Sequence, residues 1–401
     1  MKKRLLTSIV ATLLTSNVLA NTENMTAHSA FKAELASMQE NYYRSLRLDD
    51  WIAMGMTEKD ISTTMARLKA NKEGLLIDLN NPNTRGHWTY EFTKTAQNLE
   101  DQANTLNTPT AYGRASTVYL VASYPNLHQP NEIAALDKAV DLYLKAAKLN
   151  GESVEKVDLK RFDNRSIPGL LHLPTNTKTN LPAIIWTGGV DKTLIEHKTD
   201  FKSLLESGYA VLTIDMPGAG LDYRNHLKLG EETASHDAAF AFLQNHPQID
   251  RNRIGVLGSS GSGVALIPFA VQQTDLRAVV ARCALVDGPI GKQATLKFIP
   301  DMSAHSFIAR IGGDAGDMRY FKNMATKFSI ANKGMFNGQL RIDTPILVIN
   351  TKKDPVAPIE DMKRTAELST EGEMFISDEV GHCPDSLEAQ NKIIAFIKSN
   401  V

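Results

Sequence analysis

The sequence predicts an α/β fold, a mostly parallel sheet flanked by helices, with an N-terminal helical domain ahead of it and a helical cap inserted into it. Three observations carry this. Up to about residue 150 the apolar positions recur every three or four residues, the period of amphipathic helices. After Gly151 short β-branched runs alternate with helical stretches, the pattern of strands joined by crossover helices. Between "AVVARC" and "PILVIN" about sixty residues carry no strand pattern, well beyond ordinary loop length, which predicts a helical insertion over about 286–343.

In the first half, helices are expected over "SAFKAELASMQENYYRSL", over "TEKDISTTMARLKAN" from the cap Thr57, over "WTYEFTKTAQNLEDQANTL" and over "NEIAALDKAVDLYLKAAKLN". In the last of these, Ile133, Leu136, Ala139, Val140, Leu142, Tyr143 and Ala146 make one broad apolar face. The expected strands are "SVEKVDL", "SIPGLLHL", "PAIIWT", "AVLTID", "RIGVLG", "AVVARC", "PILVIN" and "EMFISD". Helical patterns separate them at "KTDFKSLLESG", "ETASHDAAFAFLQN" and "DSLEAQNKIIAFIKSN". Right-handed crossovers then bring the strand C-termini, and any site, to one edge of the sheet. The insertion's Met302, Phe307, Met318, Tyr320, Phe321, Met324, Phe328, Met335 and Phe336 are read as its core rather than as substrate contacts, since burial is the commonest use of such residues.

The chain has 401 residues, 42% of them hydrophobic and 22% charged, with a net charge of −1, so no basic surface suited to nucleic acid or anionic membrane is expected. Residues 1–20 differ from the rest. Lys2, Lys3 and Arg4 precede an apolar run from Leu5 to Leu14 and the small-residue junction Val18-Leu19-Ala20. This reads as a cleaved signal peptide and a periplasmic or secreted protein whose mature chain begins near Asn21. Its apolar core of about ten residues is short of the roughly twenty that cross a bilayer, so no stable membrane insertion is expected. The domains are then 1–20 leader, 21–150 helical and 151–401 catalytic.

The chemistry is sought in "RIGVLGSSGSGVALIPFA", a strand that runs through glycines and serines into a helix. A nucleophile on a sharp strand-to-helix turn needs small residues two positions before and after it. Ser259 would place Leu257 in the first of these positions, and Ser262 would place Val264 in the second. Ser260 has Gly258 and Ser262, and alone satisfies the rule, although Ser262 stands where a glycine is usual. The glycine spacing fits neither a dinucleotide loop nor a phosphate-binding loop, which needs a lysine absent here.

A serine needs a base, and the base an orienting carboxylate. In the α/β-hydrolase fold they follow in the order Ser, Asp or Glu, His. Asp354 comes just after the strand "PILVIN", and His382 follows the last strand and is the last histidine in the chain. Oxyanion donors are expected from the N–H of Gly261, directly after the nucleophile, and from "WTGGVDK", where Val190 is favoured and Gly189 is next. The downstream "TIDMPGAGLDY", with Asp215, Pro217, Gly218 and Gly220, reads as a structural turn. None of the ten histidines has metal-ligand spacing, and His236 and His246 read as surface or capping residues. No metal and no cofactor is expected. Cys283 and Cys383, the only two cysteines, could bridge and pin the loop around His382, but two separate buried thiols are the plainer reading.

With these residues placed, the chain resembles the FrsA-like esterases, the fermentation-respiration switch protein family of α/β-hydrolases. The segments that carry the likeness are "RGHWTYEFTKTAQNLEDQANTL", "ASYPNLHQPN", "IPGLLHLP", "GGVD", "TIDMPGAG" and "KDPVAP". The resemblance implies a helical domain packed over a hydrolase domain. Some members look like cytosolic proteins tied to sugar phosphotransferase signalling that lack the elbow serine and final histidine. This chain has both, and its leader separates it from cytosolic partners. The expected function is a serine hydrolase acting on a small-molecule carboxylic ester through Ser260, Asp354 and His382. A C–C bond hydrolase or lactonase on the same triad, or a non-catalytic binding module, are the alternatives, and a homodimer is left open.

Overall fold

The computed structural model describes residues 47–69, 83–175, 179–354 and 356–401. Residues 1–20, read as a signal peptide, and the helix read over 29–46 lie outside these residues. Eight strands form one sheet in the order β1-β2-β4-β3-β5-β6-β7-β8: β1 Ser153–Lys160, β2 Ser166–Leu173, β3 Leu181–Thr187, β4 Ala210–Ile214, β5 Ile249–Ser259, β6 Val279–Arg282, β7 Ile346–Thr351 and β8 Gly372–Ser377. All eight strand patterns of the sequence are strands. The β1–β2 and β2–β4 pairs are antiparallel, and the pairs from β4 through β3, β5, β6 and β7 to β8 are parallel.

The helices ahead of the sheet are α1 Leu48–Ala53, α2 Glu58–Lys69, α3 Trp88–Leu106, α4 Pro109–Ser123 and α5 Pro130–Leu149. Thr57 caps α2 as its sequence suggests, its hydroxyl accepting from Asp60 N at 3.3 Å while Asp60 Oδ2 accepts from Thr57 N at 2.9 Å. Helix α4 is an element the periodicity does not reveal. Every residue from Ala115 to Ser123 is buried, so it has no polar face to set a period; Pro109 in its first turn and the cap Thr108 mark its start instead. It is the central helix of this half, with α3 and α5 packed against it, and the shared core reaches Leu170 on β2 and Leu194 and Ile195 after β3.

The remaining helices are α6 Lys198–Glu206, α7 Ala234–Gln244, α8 Gly263–Gln272, α9 Asp301–Arg310, α10 Met318–Met324, α11 Ile359–Ala366 and α12 Leu387–Asn400. Helices α6, α7, α8, α11 and α12 cover both faces of the sheet. Along β3, Ala183 and Ile185 enter one core with α7, α8 and α11, while Ile184 and Trp186 enter the other with α6 and α12. This two-sided burial is why the parallel strands read as nearly continuous apolar runs.

Between β6 and β7 the chain forms short 3₁₀ turns, α9 and α10. Phe307, Phe321 and Phe328 are buried as the core of this segment, as read, and Phe307 meets Phe321 and Phe328 edge to face, while Met318, Tyr320 and Met324 are partly buried against them. Met302 is buried instead in the core of the helical half. The apolar cluster of this segment takes in Val190, Met216, Val264 and Leu285, so it lies against the C-terminal edge of the strands. Met335 and Phe336 instead pack against the core on the α7–α8 face. No helix among the described residues is long and apolar enough to cross a membrane.

Candidate active site

The site sits where β5 ends. Ser259 is still extended, at φ −120° and ψ 143°, and Ser260 turns into the left-handed region at φ +52°, a strained conformation for a residue with a Cβ. The turn is held by Leu285 N–H donating to Ser260 O at 2.8 Å and by Gly263 N–H donating to the same oxygen. A Cβ at Gly258 would stand 2.8 Å from Ser262 Oγ, so the residues two before and two after Ser260 do meet. Ser262 takes the glycine position because its hydroxyl folds back to donate to Ser259 O at 2.9 Å.

Three side chains converge on this turn from three strand ends. His382 Nε2 lies 2.7 Å from Ser260 Oγ, and His382 Nδ1 lies 2.8 Å from Asp354 Oδ2. Asp354 Oδ1 accepts from Val356 N at 2.7 Å and Ala357 N at 3.1 Å, which aims Oδ2 at the imidazole. Burial raises the Asp354 pKa, but its hydrogen bond to His382, the His382 charge and the two amides outweigh burial and hold the carboxyl below its ordinary value. The carboxylate is thus kept ionised beside the ring.

The loop bearing His382 is tied down on both sides. Thr351 Oγ1 donates to Gly381 O at 2.6 Å, Arg282 donates through Nη2 to Pro384 O at 2.8 Å and pairs with Asp385, and Glu379 Oε2 accepts from Asp385 N and Ser386 N at 2.8 and 3.0 Å. Cys283 and Cys383 are joined in a disulfide, with Cα atoms 5.0 Å apart, which corrects the expectation of two separate thiols. The reason is tertiary: β6 and β8 flank β7, and left-handed residues at Cys283 and Cys383 turn the two loops toward each other.

The glycine-rich turn after β3 lies beside the serine. A Cβ on Gly189 would stand 3.3 Å from Ser260 Oγ, and one on Gly261 would stand 3.2 Å from Val190 N. The structure therefore brings Gly189, Val190 and Gly261 together around Ser260. Asp215 is in the turn after β4, its carboxylate accepting from Leu194 N at 2.8 Å and Leu221 N at 2.7 Å, a structural use as read. His236 is corrected: it is fully buried, with Nε2 3.0 Å from Thr187 Oγ1, because α7 presents it to the sheet and not to solvent.

The family described as Esterase FrsA-like matches residues 6–380. The chain belongs to that family. Among its relatives, Esterase FrsA of Vibrio cholerae serotype O1 is 29% identical over 346 residues, covering 83% of this chain and 81% of that protein. Esterase FrsA of Yersinia pestis is 26% identical over 362 residues, with 87% and 85% covered. Among solved structures, a 2,6-dihydroxy-pseudo-oxynicotine hydrolase shares the fold at a TM-score of 0.65 and 19% identity, covering 87% of this chain and 93% of that one. Wild-type AbyA5 does so at 0.65 and 16%, covering 86% and 95%. This FrsA-like chain is a hydrolase of the α/β-hydrolase superfamily.

Proposed function

We propose that the chain cleaves carboxylic esters through an acyl-enzyme formed on Ser260. Ser260 Oγ attacks the ester carbonyl carbon and passes its proton to His382 Nε2. Asp354 Oδ2 accepts from His382 Nδ1–H and stabilises the imidazolium. The oxyanion of the tetrahedral intermediate receives the N–H groups of Gly261 and Val190, with Gly189 next in reach, and the start of α8 adds its dipole. The C–O bond then breaks, the leaving alcohol takes the proton from His382, and water repeats the cycle to release the acid. No step needs a metal or cofactor.

The observation that supports this reading best is the unbroken hydrogen-bonded chain from Ser260 through His382 to Asp354, at 2.7 and 2.8 Å. Around it we read residues 21–150 as a helical domain and 286–343 as a cap that together shape the substrate entrance. Residues 1–20 support export to the periplasm or beyond. The test is hydrolysis of p-nitrophenyl acetate, butyrate and octanoate by the mature protein beside Ser260→Ala, together with fluorophosphonate labelling. Loss of turnover and of label in the variant is expected; a label that survives Ser260→Ala would overturn the choice of nucleophile. A folded protein inactive on every ester would move the reading to a C–C bond hydrolase or a binding module.

A further inference from the structure

Two arginines from outside the sheet grip the turn that carries the Val190 amide. Arg310, the last residue of α9, is 1% exposed, and its guanidinium donates to main-chain carbonyls: Nε to Val190 O at 2.7 Å, Nη1 to Asn126 O at 2.5 Å and Nη2 to Pro125 O at 3.2 Å. Arg47, just before α1, reaches the next residue of the same turn. Its Nη2 donates to Asp191 O at 3.1 Å and Glu196 Oε1 at 2.6 Å, and its Nη1 to Asp191 Oδ1 at 3.3 Å. The rings of Trp51 and Tyr124 lie 5.7 and 5.2 Å from the Arg47 guanidinium, and Tyr124 Oη donates to Asp191 Oδ2 at 3.3 Å.

The carbonyls of two consecutive residues, Val190 and Asp191, are therefore each held by a charged donor, Arg310 fully buried and Arg47 largely so. Hydrogen bonds from a charged donor are shorter and stronger than neutral ones, and they fix the peptide planes on the C-terminal side of Val190. A turn outside regular structure lacks a ladder of its own to do this. The Val190 N–H, one peptide upstream, inherits that orientation. An oxyanion donor acts by being aimed before charge develops, and an error of about 1 Å there costs on the order of 10²-fold in rate.

We propose that Arg47 and Arg310 are positioning residues for the oxyanion hole, so that the helical half and the insertion between β6 and β7 are both built into the catalytic geometry. This rests on the oxyanion reading given above. Arg310 also ties the insertion to the Pro125–Asn126 turn, so the three parts meet on the peptide next to the serine.

The test uses the full mature chain with Arg47→Ala, Arg47→Lys and Arg310→Lys, and Ser260→Ala beside them. kcat and KM are measured separately on p-nitrophenyl butyrate, together with inhibition by an aliphatic trifluoromethyl ketone, whose adduct with a serine places an oxyanion in the same hole. In Arg47→Ala, kcat is expected to fall about 10- to 100-fold with KM within about threefold, and ketone affinity to weaken in step with kcat/KM. Arg47→Lys should recover part of the loss. Folding is followed by circular dichroism and thermal midpoint; if Arg310→Lys does not fold, the two Arg47 variants decide. Wild-type kcat and ketone affinity in folded Arg47→Ala, with Ser260→Ala inactive, would overturn the clamp alone. A loss of activity that only tracks the unfolded fraction would overturn it as well. Wild-type activity in Ser260→Ala would overturn the triad and the clamp together.

Discussion

Gly261→Ala adds one methyl group at the point where two elements of the site touch. The new Cβ would stand 2.4 Å from Val190 Cγ1, about 1 Å inside ordinary contact, and 3.2 Å from Val190 N. Gly261 does not have a left-handed φ, so its backbone tolerates alanine and the whole cost is steric. Val190 cannot simply retreat. It is buried in a cluster with Met216, Val264 and Phe307, and its carbonyl is held by Arg310. The methyl group therefore moves the Val190 amide, the Gly261 amide or both by up to about 1 Å, which predicts a kcat loss on the order of 10²-fold. Overpacking should cost about 1–3 kcal/mol of stability. Steady-state kinetics on p-nitrophenyl butyrate, with KM within a few-fold of wild type, and a urea titration read the two effects. Gly113→Ala is the control: its Cβ would meet nothing within 4 Å, and in the middle of α4 it should add about 0.5–1 kcal/mol with unchanged kinetics. A folded Gly261→Ala enzyme with wild-type kcat would refute the placement of the oxyanion between these two segments.

Asp354→Asn should lower kcat by about 10³- to 10⁴-fold with little change in KM, because the ring then loses the charge that orients and stabilises it; an active Asn variant would remove Asp354 from the mechanism. Reduction of the Cys283–Cys383 bridge, which closes a loop of 100 residues, should destabilise the fold by up to about 5 kcal/mol and lower activity by loosening the His382 loop. Dithiothreitol titration scored by thiol count, activity and thermal midpoint checks this, and full activity with two free thiols would contradict it. Burial pushes the Glu132 carboxyl up to about 7, against the amides of Gln129 and Leu127 that bond to it. A raised folded pKa gives stability that is complete below the ordinary carboxylate value and lost as pH rises through about 7. Glu132→Gln keeps an acceptor for both amides, so its thermal midpoint should decline less than wild type between pH 5 and 8; parallel curves would show that Glu132 does not titrate in that window.

Strand patterns, chain order and the small-residue rule place Ser260, Asp354 and His382 without coordinates, because strand ends and sharp turns are local features with local residue requirements. The sheet's two-sided burial is legible for the same reason, as runs such as "PAIIWT". Helix α4 is not, since its last nine residues are buried on every side and leave no period to read. The pairing of Cys283 with Cys383, the inward aim of His236 and the grip of Arg47 and Arg310 on the Val190 turn also stay hidden. Each joins residues about 50 to more than 140 positions apart, and their approach is set by how loops leave neighbouring strands and by how helices stack on the sheet. The chain by itself determines which residue types stand at the strand ends; only the packed tertiary structure decides which distant charges hold them there, because a buried guanidinium finds its carbonyls only once three separate segments have folded around it.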